Sequence, residues 1–240
     1  MTLPVLNDTN FYYRTVKNDN PIMFYLFNEQ TGTVVDDLSD NNINTNQFNG
    51  ATIGNAVGVA GIKRSGFTDG TNDYFYNGSL NATYGAISPD GNWTIEFWFK
   101  PNNVTSGTPA VIWFGGANPE NRVANVYFTG SNGYLNVDTG LSDGVNYQTL
   151  TASTNYNDNA WHYVAITSAS GGAEKLYVDN VEKASSTAAR RSNTDNKLVL
   201  AGVDYFATSY GKMNITGFAA YNTTLSTTQM TNHYNAGLNL

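Results

Sequence analysis

The chain reads as an all-β protein: two antiparallel sheets packed as a sandwich, with short helices near the N- and C-terminal ends. Three observations carry that reading. In N-W-T-I-E-F-W-F-K-P, residues 92–101, Trp93, Ile95, Phe97 and Phe99 alternate with Thr94, Glu96, Trp98 and Lys100, the two-residue period of a strand with one face in an aromatic core. After it, short apolar runs recur at regular intervals, separated by S-N-G at 131–133, S-D-G at 142–144, S-G-G at 170–172 and D-N at 179–180. Helical patterning is confined to the ends, and many short strands without helices pack as two sheets.

Taken in order, residues 1–10 form an arm and residues 11–240 a single domain. Asp8–Lys17 has the residues for one short helix, ended by N-D-N-P at 18–21. Ile22–Phe27 is unbroken apolar sequence, as a strand buried on both faces requires. Residues 28–49 are loop-like, and S-G-F-T-D-G-T-N-D-Y-F-Y at 65–76 is strand interrupted by a D-G turn. Further strands are expected at 110–114, 125–129, 134–138, 145–151, 161–167, 175–179, 197–201 and 213–221. In the last of these, Met213 and Ile215 keep phase with Phe218 and Ala220 only if Gly217 forms a bulge. The terminal helix starts at a capping box, Ser226 with Gln229, carries Met230 and Tyr234 on its inner side, and is expected to stop at Gly237.

Composition narrows function by exclusion. The 34 asparagines outnumber all 31 charged residues, so the surface is mainly amide, hydroxyl and glycine, and the net charge is -7. Phosphate binding needs clustered Lys and Arg, which argues against nucleic acid and anionic membrane as partners. No stretch approaches the roughly 20 apolar residues of a membrane helix. With no cysteine, there is neither a disulfide framework nor a thiolate metal site. The two histidines, His162 and His233, are too few and too far apart to suggest zinc, and no G-x-S-x-G elbow is present.

Five blocks, in this order along the chain, carry a family resemblance: N-P-I-M-F-Y-L-F-N-E at 20–29, F-T-D-G-T-N-D-Y at 67–74, Trp93–Pro101, A-W-H-Y-V-A-I-T to L-Y-V-D at 160–179, and I-T-G-F-A-A-Y-N-T-T-L-S at 215–226. Together they resemble the laminin G-like, concanavalin A-like lectin/glucanase jelly rolls found in bacterial and phage proteins. That resemblance implies a concanavalin A-like jelly roll and a binding or adhesion module, often for glycans. Two departures touch regions where relatives hold calcium: Thr216-Gly217 replaces the family's acidic pair, and D-L-S-D-N-N at 37–42 lacks the usual glycines. A calcium site of the family's kind would draw on Asp36, Asp37, Asp40, Asp69 and Asp73, residue types that turns also favour.

Glycosidases of this architecture carry two carboxylates on one strand as E-x-D-x-x-E. None of Glu29, Glu96, Glu120, Glu174 and Glu182 has an acidic neighbour in that pattern, so no catalytic residue is assigned and Glu96 is expected to be a hydrogen-bonded sheet residue. Sugars stack through their C–H faces on aromatic rings and hydrogen-bond to planar amides. Trp98, Trp113, Tyr127, Tyr177, Tyr205 and Tyr210 are the candidates, because alternation or loop position puts them outside the first core. The expectation is a non-catalytic adhesion or surface-display module of a phage or viral virion (capsid decoration, fibre or tail component), facing host glycans. Its arm would dock on a neighbouring virion subunit or a second copy. The grounds are a single domain starting at Met1 with no signal peptide, no cysteine and an uncharged polar surface. A secreted bacterial carbohydrate-binding module and a ligand-free structural cement protein are the alternatives.

Overall fold

A computed structural model describes residues 11–80, 87, 90–102, 108–115, 122–129, 132–141, 146–171, 173–190, 196–202 and 209–240. The elements are α1 (Phe11–Lys17), β1 (Met23–Tyr25), β2 (Val34–Val35), β3 (Thr45–Phe48), β4 (Thr52–Asn55), β5 (Ser65–Asp69), β6 (Tyr74–Leu80), β7 (Trp93–Pro101) and β8 (Ala110–Gly115). They continue with β9 (Arg122–Thr129), β10 (Tyr134–Gly140), β11 (Tyr147–Ala152), β12 (His162–Ala169), β13 (Ala173–Val178), β14 (Val181–Ser186), β15 (Asn196–Leu200), β16 (Lys212–Tyr221) and α2 (Thr227–Leu238). The first sheet runs β14-β13-β12-β7-β16-β5-β4, with β1 also on β16; the second runs β11-β10-β9-β8-β15-β6-β3-β2. Each of these strand pairs is antiparallel.

The alternation of β7 divides two cores. Trp93, Ile95, Phe97 and Phe99 lie in the main core between the sheets. Trp98, on the opposite face, belongs to a second cluster between the first sheet and the two helices. The apolar run 22–27 has the same cause: Met23, Tyr25 and Phe27 join the main core, while Phe24 and Leu26 join the second. β16 changes register between Thr216 and Ala219, with Gly217 at φ +59°, so the bulge is there. It makes room for α1, whose Tyr12 hydroxyl donates to the Gly217 carbonyl at 3.2 Å.

The D-G turn at 69–70 interrupts the strand as the sequence suggests, and with Gly70 at φ +82° it carries the chain from β5 in the first sheet to β6 in the second. One detail differs from the sequence reading. Helix α2 has the expected capping box, but it continues through Gly237 to Leu238 and ends at Asn239, φ +62°. Gly237 is small for another reason: a Cβ there would lie 2.5 Å from the Trp98 ring.

Candidate functional site

The two helices cover the outer face of the first sheet around Glu96 and Trp98. Glu96 on β7 is fully buried, and the Tyr163 hydroxyl of β12 donates to its Oε2 while the Tyr221 hydroxyl of β16 donates to its Oε1 at 2.8 Å. His233 of α2 places Nδ1 2.9 Å from Glu96 Oε1 and 3.0 Å from Oε2, and its Nε2 lies 2.9 Å from Asp19 Oδ2. Gln229 Nε2 donates to the other oxygen of Asp19 at 2.9 Å. Burial first, and the Glu96 charge second, push the Tyr163 and Tyr221 phenols well above their ordinary value, so both remain O–H donors. Glu96 is the hydrogen-bonded sheet residue the sequence suggests, and this network fastens α2 to the sheet.

That covered face accounts for two of the six aromatic candidates. Trp98 is 1% exposed, stacked on Tyr234 of α2 at 5.6 Å and packed against Tyr163 at 5.4 Å. Tyr177 is buried in the same cluster. Both point away from the main core, as alternation requires, but the helices cover that face, and a stripe of strand residues carries no sign of what covers it. Neither ring is available for stacking on a sugar while α2 is docked.

The second sheet's outer face is built differently. Strand register puts Phe48 of β3 opposite Tyr74 of β6, Tyr76 opposite Asn46 and Val199, Val199 opposite Trp113, Trp113 opposite Asn125, and Asn125 opposite Asp138. Paired residues point to the same side, so these rings and amides share one face. At one end Phe48 stacks on Tyr74 at 5.0 Å and 3°, Tyr210 stacks on the other side of the group at 6.0 Å, and Tyr76 meets Phe48 edge-on at 5.7 Å. Phe48 is 36% exposed, and Tyr74, Tyr76 and Tyr210 are half-buried. Trp113, 2% exposed, packs beneath Tyr74 and Tyr76 with Ala110 and Val199: it is the floor of the patch, and its flat ring is spent on that packing.

At the other end the face is polar. The Tyr127 hydroxyl donates to Asp138 Oδ1 at 3.2 Å, Thr149 Oγ1 donates to the same oxygen at 2.6 Å, and Thr151 Oγ1 donates to Asn136 Oδ1 at 2.7 Å. Tyr127 is half-buried. The structure thus brings Trp113, Tyr127 and Tyr210 to one face and separates them from Trp98 and Tyr177; Tyr205 lies outside the described residues. The sequence reading missed Phe48, Tyr74 and Tyr76. The Y-F-Y alternation at 74–76 was the available signal, since it buries Phe75 in the main core and turns both tyrosines outward.

The five aspartates named for calcium are divided between two turns and occupied there. Asp37 is buried and takes four donors: Phe24 N at 2.8 Å and Ser39 N at 2.9 Å on Oδ1, Ser39 Oγ at 2.6 Å and Ile43 N at 2.8 Å on Oδ2. Asp73 accepts from Gly50 N at 2.7 Å and Asp69 N at 3.1 Å, and Asp69 accepts from Thr71 N at 2.7 Å. Asp40 pairs with Lys17 at 2.7 Å, and Asp36 accepts from Asn44 Nδ2 at 3.4 Å. Among the described residues, no group of three His or acidic side chains could hold a metal ion. The remaining described glutamates are likewise occupied: Glu174 accepts from Arg190 at 2.5 Å and Thr139 Oγ1 at 2.9 Å, Glu182 pairs with Lys175 at 2.9 Å, and Glu29 accepts from Asp36 N at 2.8 Å, while Glu120 lies outside the described residues.

The chain belongs to the concanavalin A-like lectin/glucanases superfamily, whose family model matches residues 69–231. Its fold is similar to the binding domain of botulinum neurotoxin serotype D, at 17% identity and a TM-score of 0.65 over 91% of this chain and 52% of that one. It is also similar to the serotype D ligand binding domain solved in complex with N-acetylneuraminic acid (17% identity, TM-score 0.68, 93% and 52% covered). The binding domain of Paraclostridial Mosquitocidal Protein 1 matches at 14% identity and a TM-score of 0.61, over 91% and 52%. The chain spans about half the length of these domains, and at such identities the likeness is one of fold. A search of curated proteins gave no significant match.

Proposed function

We propose that the protein is a non-catalytic carbohydrate-binding module, whose ligand lies on the outer face of the second sheet. The observation that supports this most is the aromatic group Phe48, Tyr74, Tyr76 and Tyr210, solvent-accessible and continuous by register with a polar row of amides, hydroxyls and one carboxylate. Such a face offers apolar contact to the C–H side of a sugar and hydrogen bonds to its hydroxyls. The superfamily agrees with that reading, and so do the similar neurotoxin binding domains, one of them solved in complex with N-acetylneuraminic acid. The setting we propose is display on the surface of a virion, which suits a sparsely charged, amide-rich exterior.

A glycan array probed with the intact protein tests this. Binding to a defined oligosaccharide, lost in Phe48→Ser at unchanged melting temperature, is the expected result. An array without binding, together with a stable oligomer in solution, would replace the reading with that of a structural cement protein.

A further inference from the structure

We propose that helix α2 is a pH-sensitive lid, clamped on the first sheet by both histidines and loosening as the solution turns alkaline, so that the aromatic face around Trp98 is bared. Each histidine has a carboxylate at each ring nitrogen. His233, on α2, lies between Glu96 (2.9 Å from Nδ1) and Asp19 (2.9 Å from Nε2). His162, on β12, lies between Asp179 (2.9 Å from Nδ1) and Asp158 (3.0 Å from Nε2). The second clamp reaches α2 through the turn after β13. Asp179 accepts from Tyr163 N at 3.0 Å, and the next residue, Asn180, donates from Nδ2 to Thr231 Oγ1 of α2 at 3.0 Å.

An imidazolium has two N–H groups and a neutral imidazole one. Only the protonated ring can donate to both of its carboxylates, so deprotonation leaves one carboxylate of each pair against a lone pair. The groups facing His233 are Glu96 of β7, Tyr163 of β12, Tyr221 of β16 and Asp19 after α1, with Tyr12 of α1 close enough to sense Glu96. On α2 itself, Gln229 shares Asp19. Facing His162 are Asp158, Asp179 and the Tyr156 ring, and Tyr234 of α2 senses Asp179. Burial alone would lower both imidazoles, but the paired carboxylates outweigh it and both stand above their ordinary value. A pKa raised by folding means the clamp is complete below about 6.5 and is lost as pH rises through the folded value. Among the described residues, none of the main core between the two sheets lies on α2, so undocking the helix bares Trp98 and leaves the sandwich folded.

Amide hydrogen exchange of the intact protein between pH 6 and 9, expressed as protection factors, tests the proposal. Protection of 227–238 should fall by up to about tenfold per pH unit for each histidine between its ordinary and raised values, while β7 keeps its protection. His233→Gln and, separately, His162→Gln should each remove about half of that slope; either variant suffices if the other does not fold. A flat profile for α2 in the unaltered protein overturns the proposal, and so does a fall shared equally by β7.

Discussion

Replacing Trp98 by alanine separates a covered aromatic face from a ligand-binding one. The ring is 1% exposed, stacked on Tyr234 at 5.6 Å, tilted against Tyr163 at 5.4 Å, and pressed so closely by α2 that position 237 has no room for a Cβ. Truncating a buried aromatic costs about 3–5 kcal/mol, through lost transfer energy and the cavity left behind. Here the upper half of that range applies, because the helix that would have to collapse into the cavity is held by Glu96, Asp19 and Asn180. Against a typical total of about 5–15 kcal/mol, the variant should unfold at clearly lower urea, with a melting temperature lower by roughly 10 °C. Equilibrium urea denaturation followed by circular dichroism measures this. A loss below about 1 kcal/mol would refute the second core as drawn, and with it the assignment of Trp98 to packing.

Further outcomes follow from the same geometry. Gly237→Ala gains about 1 kcal/mol of helix propensity but drives a Cβ to 2.5 Å from a confined ring, an overpacking cost of about 1–3 kcal/mol; net destabilisation in a thermal melt is expected. Asp37→Ala strands the donors of Phe24, Ser39 and Ile43 and should cost about 3 kcal/mol, while a chelator should leave the wild-type melting curve unchanged. Glu174 is raised to about 7, chiefly by burial and against the opposing pull of Arg190 and Thr139. Its contribution is therefore complete below about 4.5 and lost as pH rises through 7, a decline of up to about 3 kcal/mol. Denaturation midpoints between pH 4.5 and 7.5 should show that decline, and Glu174→Gln should flatten it at the expense of an uncompensated Arg190.

The sequence disclosed most where a strand faces one core and solvent or a helix on the other side. The alternation in 93–99, the two-sided burial of 22–27 and the phase break at Gly217 each translate directly into the observed layers. It disclosed least at β14, whose V-E-K-A-S-S is mostly exposed at a sheet edge and so has no apolar period to detect. The same limit explains the division of the aromatic candidates. Trp98 and Trp113 both point away from the main core, and only tertiary structure reveals that α2 lies over one and tyrosines over the other. Phe48 could not be read from T-N-Q-F, because its value comes from Tyr74, a partner 26 residues later joined to it by register alone.

The most direct measurement of the central claim is the affinity of the intact protein and of Phe48→Ser for the same oligosaccharide, by titration calorimetry at one pH and salt. Phe48 is the exposed ring of the patch and packs in none of the three buried clusters, so the variant should bind at least about tenfold more weakly, roughly 1.4 kcal/mol, with the fold intact. Equal affinities of the two proteins would contradict it and move the binding site off the second sheet.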